Sequence, residues 1–200
     1  MKDCEIRIAM EEEEIQAALT LRRRVFVEEQ HIFEQSDEDE HDPDAIVLNA
    51  WSLKRQALMG TVRCYPDRSD PSIWWGGRLA VDAAYRLRGI GVYLIVAAVK
   101  EMQRRSISRF LAKVQTQNVP LFEKLGWRGV GEEFSSNGYP HQLMEADLHV
   151  CHAPARSTGR RKAACDERPG LQGAGGASGA GSSLDDGIRQ KSVQRAQSCR

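Results

Sequence analysis

The chain has 200 residues, 41% of them apolar, with 28 Lys and Arg against 28 Asp and Glu, enough for one domain of ordinary size plus a tail. That neutrality is the sum of two unlike parts: residues 1–150 hold 19 basic and 24 acidic residues, and residues 151–200 hold 9 and 4. There is no long apolar run or evident leader, and Cys4, Cys64, Cys151, Cys165 and Cys199 form no metal-spaced cluster, so a membrane span, a disulfide scaffold and a zinc module are excluded and a reducing cytoplasm is expected.

A first strand is expected at Glu5–Ala9, then a helix whose first turn (Glu11–Glu14) suits the positive end of its dipole and whose Ile15, Ala18, Leu19, Val25 and Phe26 recur at near-helical spacing. The run Glu34–Asp44, EQSDEDEHDPD, reads either as a solvated loop or as an acidic rim that attracts a cation. Ala45–Leu53 and Leu58–Tyr65 read as strands joined by a polar turn, and Trp74–Val81 as a third, with Trp74 and Trp75 on opposite faces. A helix is predicted over Gly89–Arg105, with Gly91, Leu94, Ala98 and Met102 on one face. Arg109–Gln115 is an apolar strand. Asn118, Pro120 and Gly126 then carry the cap, first-turn and C′ signals of a short helix. Strands near Gly129–Phe134 and His141–Leu148, parted by a turn at Ser135–Gly138, complete a β-α-β-β-β-α-β-α-β-β order: a mixed α/β domain over residues 5–150.

Residues 151–200 carry only Leu171, Leu184, Ile188 and Val193 as large apolar residues, too few for a core, and include a GLQGAGGASGAGSS linker-like stretch. They are expected to be a disordered basic tail. Their Arg160-Arg161-Lys162 cluster leaves contact with nucleic acid or anionic lipid open, and the abrupt change in composition also fits a non-selected extension from a shifted reading frame.

The chemistry concentrates at Arg86-Leu87-Arg88-Gly89-Ile90-Gly91, a glycine-punctuated basic turn between a strand and a helix. Free N–H groups and the positive end of a helix dipole bind anions there, glycines admit a phosphate to the backbone, and two arginines add charged hydrogen bonds. The free backbone of a splaying upstream strand suits an extended ligand arm. A pyrophosphate with a long polar tail is the shape of coenzyme A.

The R-x-x-G-x-G spacing resembles the acetyl-CoA signature of the GNAT N-acetyltransferase superfamily, and three more blocks are similar to segments of it: Leu21–Gln30 (LRRRVFVEEQ), Val114–Trp127 (VQTQNVPLFEKLGW) and Gly138–Leu148 (GYPHQLMEADL). With WWGGRLAV, these look closest to the nitrogen-starvation-associated N-acetyltransferase subfamily. The resemblance spans about residues 5–148 and implies the GNAT acyl-CoA N-acyltransferase fold, a central mixed sheet flanked by helices, and acetyl transfer from acetyl-CoA to a primary amine of a small molecule or peptide. It also implies CoA contacts from Leu79, Ala80 and Val81, from Arg86, Leu87, Arg88, Gly89, Ile90 and Gly91, and from Asn118, whose other reading is a helix cap. The acceptor pocket is expected from the loop Gln30–Asp44. No metal, nucleic acid or membrane is implied, and a homodimer stays open.

The catalytic pair is less defined. Glu28, Glu29, Glu132, Glu133 and His141 are candidates for the base, with Glu29 and His141 foremost, and each has a plain structural reading beside it. Many members of the superfamily place a tyrosine acid where this chain has Phe122, which leaves the acid unassigned. Two other functions stay in view. One is a CoA-binding sensor or assembly subunit without catalysis. The other is an acyl-homoserine-lactone-synthase-like transferase, suggested by Arg22, Arg23, Val25, Phe26 and the Asp37–Asp44 run, against which the intact Arg86–Gly91 turn speaks.

Overall fold

The computed structural model describes residues 3–149; the expected tail lies outside them. Its elements are β1 (Cys4–Ile8), α1 (Glu12–Arg23), β2 (Ile46–Ser52), β3 (Ala57–Pro66), β4 (Ile73–Val81), α2 (Ile90–Arg104), β5 (Arg109–Gln115), α3 (Val119–Lys124), β6 (Trp127–Gly129), β7 (Phe134–Ser136) and β8 (Tyr139–Ala146). One eight-stranded sheet runs β1-β2-β3-β4-β5-β8-β6, with β7 also on β8. Every pairing is antiparallel except β4 with β5. A crossover between parallel neighbours needs a covering element, and α2, between β4 and β5 in the chain, supplies it.

α2 is held by its apolar face: Ile90, Leu94, Ala98 and Met102 are fully buried against Met59, Cys64, Phe110 and Met144 of the sheet. α1 covers the other face, with Leu21 and Val25 against Ala80. Its helix does not stop at Arg23 but widens over Arg24–Glu29 into a π-helical stretch, where the Gln30 N–H reaches back five residues to the Val25 carbonyl at 3.0 Å. Such a widening adds a residue to one turn and so re-aims the side chains around it, here Phe26 and Gln30.

The far end departs from the sequence reading. A single strand at Gly129–Phe134 is expected; instead β6 and β7 lie end to end along β8, interrupted at Gly131, whose φ of 76° breaks the pleat. The Gln142 amide donates to the Gly131 carbonyl at 3.0 Å, so the gap is satisfied by a side chain. The next turn is the two-residue Asn137-Gly138, both at positive φ, while Ser135 and Ser136 belong to β7.

Gly60 and Gly76 are where helix or ring approaches the sheet most closely. A Cβ on Gly60 would lie 2.9 Å from Leu94 Cδ1 and 3.0 Å from the Ala80 carbonyl oxygen, and one on Gly76 would lie 2.9 Å from Phe110 Cζ. At Gly77 it would meet nothing within 4 Å. Gly60→Ala and Gly76→Ala should each cost about 1–3 kcal/mol by urea unfolding, and Gly77→Ala less than about 0.5 kcal/mol. Equal losses at Gly76 and Gly77 would contradict this packing.

Candidate functional site

The parallel ladder between β4 and β5 starts at Ile73–Arg109 and ends at Gly76–Ala112. Beyond it the strands part, and a cleft of about 420 Å³ opens through the gap. Against β3, Arg63 pairs with Gly77 but Thr61 with Ala80, so β4 carries an extra residue there, with Arg78 at φ 52°. A bulge of this kind bends the strand and redirects its side chains. Leu79 then lines the cleft, whereas Ala80 is buried against α1.

One end of the cleft faces α2. After β4, Ala83–Arg88 forms a 3-10 turn capped by Asp82, and Gly89, at φ 73°, swings the chain into α2. No side chain caps that helix start. A Cβ on Gly91 would make only ordinary contacts, 3.7 Å from Val81 Cγ2, so the protein's own packing does not demand this glycine. Arg86 donates from Nε to the Val81 carbonyl at 3.1 Å and pairs with Glu29. Arg88 lies over the Tyr85 ring, and Leu87 is fully exposed. Asn118 makes no capping bond to α3 and instead lines the cleft. These features fit a CoA-type ligand: an uncapped helix start, a turn only glycine adopts easily, and strand edges that no other strand pairs beyond Gly76, with the Val81 carbonyl alone taken by Arg86.

The sequence candidates for the base are separated. His141 lines the cleft, its Nδ1 2.9 Å from the Tyr139 carbonyl oxygen and its ring stacked near Phe134. Glu29 is not among the lining residues; its carboxylate is engaged by Arg86. Phe122 lines the cleft and packs edge-on against Trp127 at 5.2 Å. Trp75 also lines it, its indole N–H donating to Asp67 at 2.8 Å, while Trp74 packs toward the core on the other face.

The acidic run is neither a solvated loop nor a rim. Glu38, Glu40 and Asp44 point outward, but Asp37, Asp39 and Asp42 turn in and meet Arg22 of α1, Arg63 of β3 and Arg78 of the bulge. Arg22 holds Asp37 at 2.7 Å and Asp42 at 2.6 Å; Arg63 grips both oxygens of Asp39 at 2.7 and 2.8 Å and reaches Asp42 at 2.8 Å. Arg78 donates to the Asp37 carbonyl at 2.9 Å and to Asp39 at 3.0 Å. Burial works against the Asp42 charge, yet hydrogen bonds from Arg22, the Asp39 N–H and Arg63 hold its pKa well below the usual carboxylate range, and Asp39 is lowered in the same way. Sequence reading missed Arg63, Arg78 and Tyr65 as cleft residues. Tyr65 faces the cleft between the rings and charges of His41 and Arg63, and burial raises its pKa above the ordinary phenol value.

Fold and cleft together define an acyl-CoA acyltransferase. The family described as the acetyltransferase (GNAT) domain matches residues 7–148, and the chain belongs to it. A Bacillus subtilis (strain 168) protein named provisionally as an acetyltransferase is 30% identical over 134 residues, covering 66% of this chain and 89% of its own. Among solved structures, Escherichia coli ElaA superposes with a TM-score of 0.64 at 22% identity, over 72% of this chain and 99% of its own. The CoA-dependent acyl-homoserine lactone synthase BjaI, with SAM and isopentyl-CoA, does so with 0.62 at 20%, over 74% and 83%. At these identities both show a shared fold only. Among the described residues, no helix is long and apolar enough to cross a membrane.

The cluster should dominate acid stability. Asp39 and Asp42 have folded pKa values below the unfolded value of about 3.9, so their stabilisation is complete above that pH and is lost as pH falls through the folded values. Urea midpoints should drop from pH 5 toward pH 2, and less steeply in Asp42→Asn. Arg22→Met removes the best partner of Asp37 and one of two arginines on Asp42, leaving the buried cluster one positive charge short, and should cost about 3–5 kcal/mol at pH 7. A loss below about 1 kcal/mol would show that the cluster is not cooperative.

Proposed function

We propose that this protein is an N-acetyltransferase moving acetyl from acetyl-CoA to a primary amine in a ternary complex, with residues 5–150 as its catalytic domain. The observation that carries the reading is the parting of β4 and β5 beyond Gly76, with the uncapped start of α2 reaching Leu79 and Val81 of the parted strand at Gly91. In this reading the α2 N-terminus, Gly89 and Gly91, with Arg86 and Arg88, hold the pyrophosphate, and the free edge of β4 through Leu79–Val81 takes the extended arm. Asn118, unused as a cap, is free to meet the arm from the β5 side. Glu29 acts on this loop through Arg86, orienting its guanidinium. The WWGGRLAV and QNVPLF blocks support placement near the nitrogen-starvation-associated subfamily.

The reaction forms an N–C bond as the thioester C–S bond breaks. The amine gives up one proton and the departing thiolate takes one up. His141 lies in the cleft and has the chemistry of a base. Phe122 cannot donate a proton. Tyr65, the one tyrosine among the described lining residues, is kept protonated by burial and serves as the donor. This supports turnover over a silent sensor, and the intact phosphate turn supports CoA as the donor's carrier.

Arg86→Ala with Arg88→Ala should keep the fold, since both side chains are exposed, and weaken acetyl-CoA binding by about 1.5–3 kcal/mol. Unchanged calorimetric affinity in the folded double variant would refute the assignment of this turn. Tyr65→Phe should lower kcat by about 10²-fold or more with acetyl-CoA affinity intact, and kcat/KM of the wild type should climb with pH as the acceptor loses its proton. Full activity in Tyr65→Phe would remove Tyr65 from the mechanism, and a pH-independent wild-type profile would rule out acceptor deprotonation as the origin of the rise.

A further inference from the structure

The charges facing the cleft are unbalanced in a way that bears on the acceptor. Among the described lining residues the fixed charges are Arg63, Arg78 and Lys113 against the single carboxylate of Asp39. That carboxylate is already committed, both oxygens to Arg63 and one also to Arg78. Arg78 spends its Nε on the Asp37 carbonyl, with the Asp37 carboxylate also 3.1 Å away, and its Nη2 on Asp39, while its Nη1 has no hydrogen bond among the described residues; the side chain is 22% exposed. The Arg63 Nε is buried and without a partner. Lys113 is exposed and lies 5.8 Å from the Trp75 ring centroid, with no carboxylate on it among the described residues.

The two arginines of the cleft also differ in how well they are compensated. Burial opposes the charge of Arg63, but Asp39 and Asp42 outweigh it and raise its pKa; for Arg78, burial and the neighbouring Arg63 prevail and lower it. Around these cations the walls are aromatic: Phe33 lies under the Arg78 guanidinium at 4.6 Å, and Phe26, Tyr65 and Trp75 line the same cavity. Arg22, Arg63 and Arg78 are matched by Asp37, Asp39 and Asp42, so a cationic guest such as a polyamine would find no free carboxylate and would meet Lys113 as the one uncompensated charge among the described lining residues.

Resting on the acetyltransferase reading, we propose that the acceptor is a primary amine that also carries a carboxylate, an amino acid with an apolar or aromatic side chain, its carboxylate taken by Arg78 and Lys113. A guanidinium with one open N–H edge above an aromatic face suits a carboxylate on a short apolar frame. The amine is then held at a fixed distance from its carboxylate, so binding one end aims the other toward the gap between β4 and β5.

The test uses the full chain with saturating acetyl-CoA and matched pairs: phenylalanine with phenethylamine, tyrosine with tyramine, leucine with 3-methylbutylamine. Thiol release and calorimetric binding to the CoA-loaded protein are read for each pair. The amino acid should be preferred by about tenfold to a hundredfold in at least one pair, the range for one charged hydrogen-bonded contact. Arg78→Gln should level that pair while acetyl-CoA affinity stays as in the wild type. Lys113→Gln, on an exposed side chain, should lower the preference severalfold, and it decides the matter if Arg78→Gln unfolds. Equal or better use of the decarboxylated amines, binding of no amino acid, or equal damage to both members of a pair would overturn the proposal. A wild-type chain that fails to bind acetyl-CoA would instead overturn the transferase reading beneath it.

Discussion

The architecture around the cleft depends on six charges that cannot be buried singly. Arg22, Asp37 and Arg63 are almost wholly removed from water, and Asp39, Asp42 and Arg78 are mostly so. An unpaired charge at such depth costs several kcal/mol, so each residue is tolerable only while the others are in place. That mutual requirement welds three separate elements, α1, β3 and the bulge in β4, to one loop with no secondary structure of its own. The loop residues Phe33, Asp39 and His41 become a wall of the cleft because Asp37, Asp39 and Asp42 anchor the backbone on either side of them.

The bulge and the cluster explain each other. A non-glycine residue at φ 52° carries a conformational cost of about 1–3 kcal/mol, and without the extra residue the side chain would not leave the strand where it does. The hydrogen bonds Arg78 makes to Asp37 and Asp39 offset that cost. The same distortion lies just beyond the last β4–β5 rung, so one local irregularity both completes the buried ion network and accompanies the opening through which a donor's arm can pass.

Legibility in the sequence tracks the range of the forces involved. β4, α2 and β5 fall within about a residue of expectation because their apolar periodicity and their Gly and Pro signals are local. Gly126 at the helix end is an equally local reading, and it matches the structure. The acidic run misleads because its partners lie far away in sequence: Arg22 is 15 residues from Asp37, Arg63 is 24 from Asp39 and Arg78 is 39 from it. A window that sees six acids and no base can report only solvation. The break between β6 and β7 is invisible for a related reason, since the Gln142 side chain that satisfies it sits on the neighbouring strand. Asn118 carries a correct helix-start signal, yet its side chain is left unspent, and propensity cannot distinguish a cap from a free amide.

A positive cleft bears on the question that the sequence leaves most open, how the acceptor loses its proton. An alkyl ammonium near its ordinary pKa of about 10.4 is almost entirely charged at neutral pH, and a strong base would be needed if the site favoured that form. Here the site gives that form no such support: Asp39, the one carboxylate among the described lining residues, is neutralised by Arg63 and Arg78, and Lys113 faces the cavity uncompensated, so the free amine is favoured over the cation. Desolvation by the aromatic walls acts in the same direction. A carboxylate on the acceptor would ordinarily stabilise its own ammonium, but once drawn onto a guanidinium it loses most of that influence. In the proposed reaction the field of the cleft then shares the work of a general base with His141 or water. A free carboxylate among the described lining residues would both hold an ammonium and compete for the arginines, so the committed state of Asp39 and a deprotonated acceptor go together in the proposed reaction.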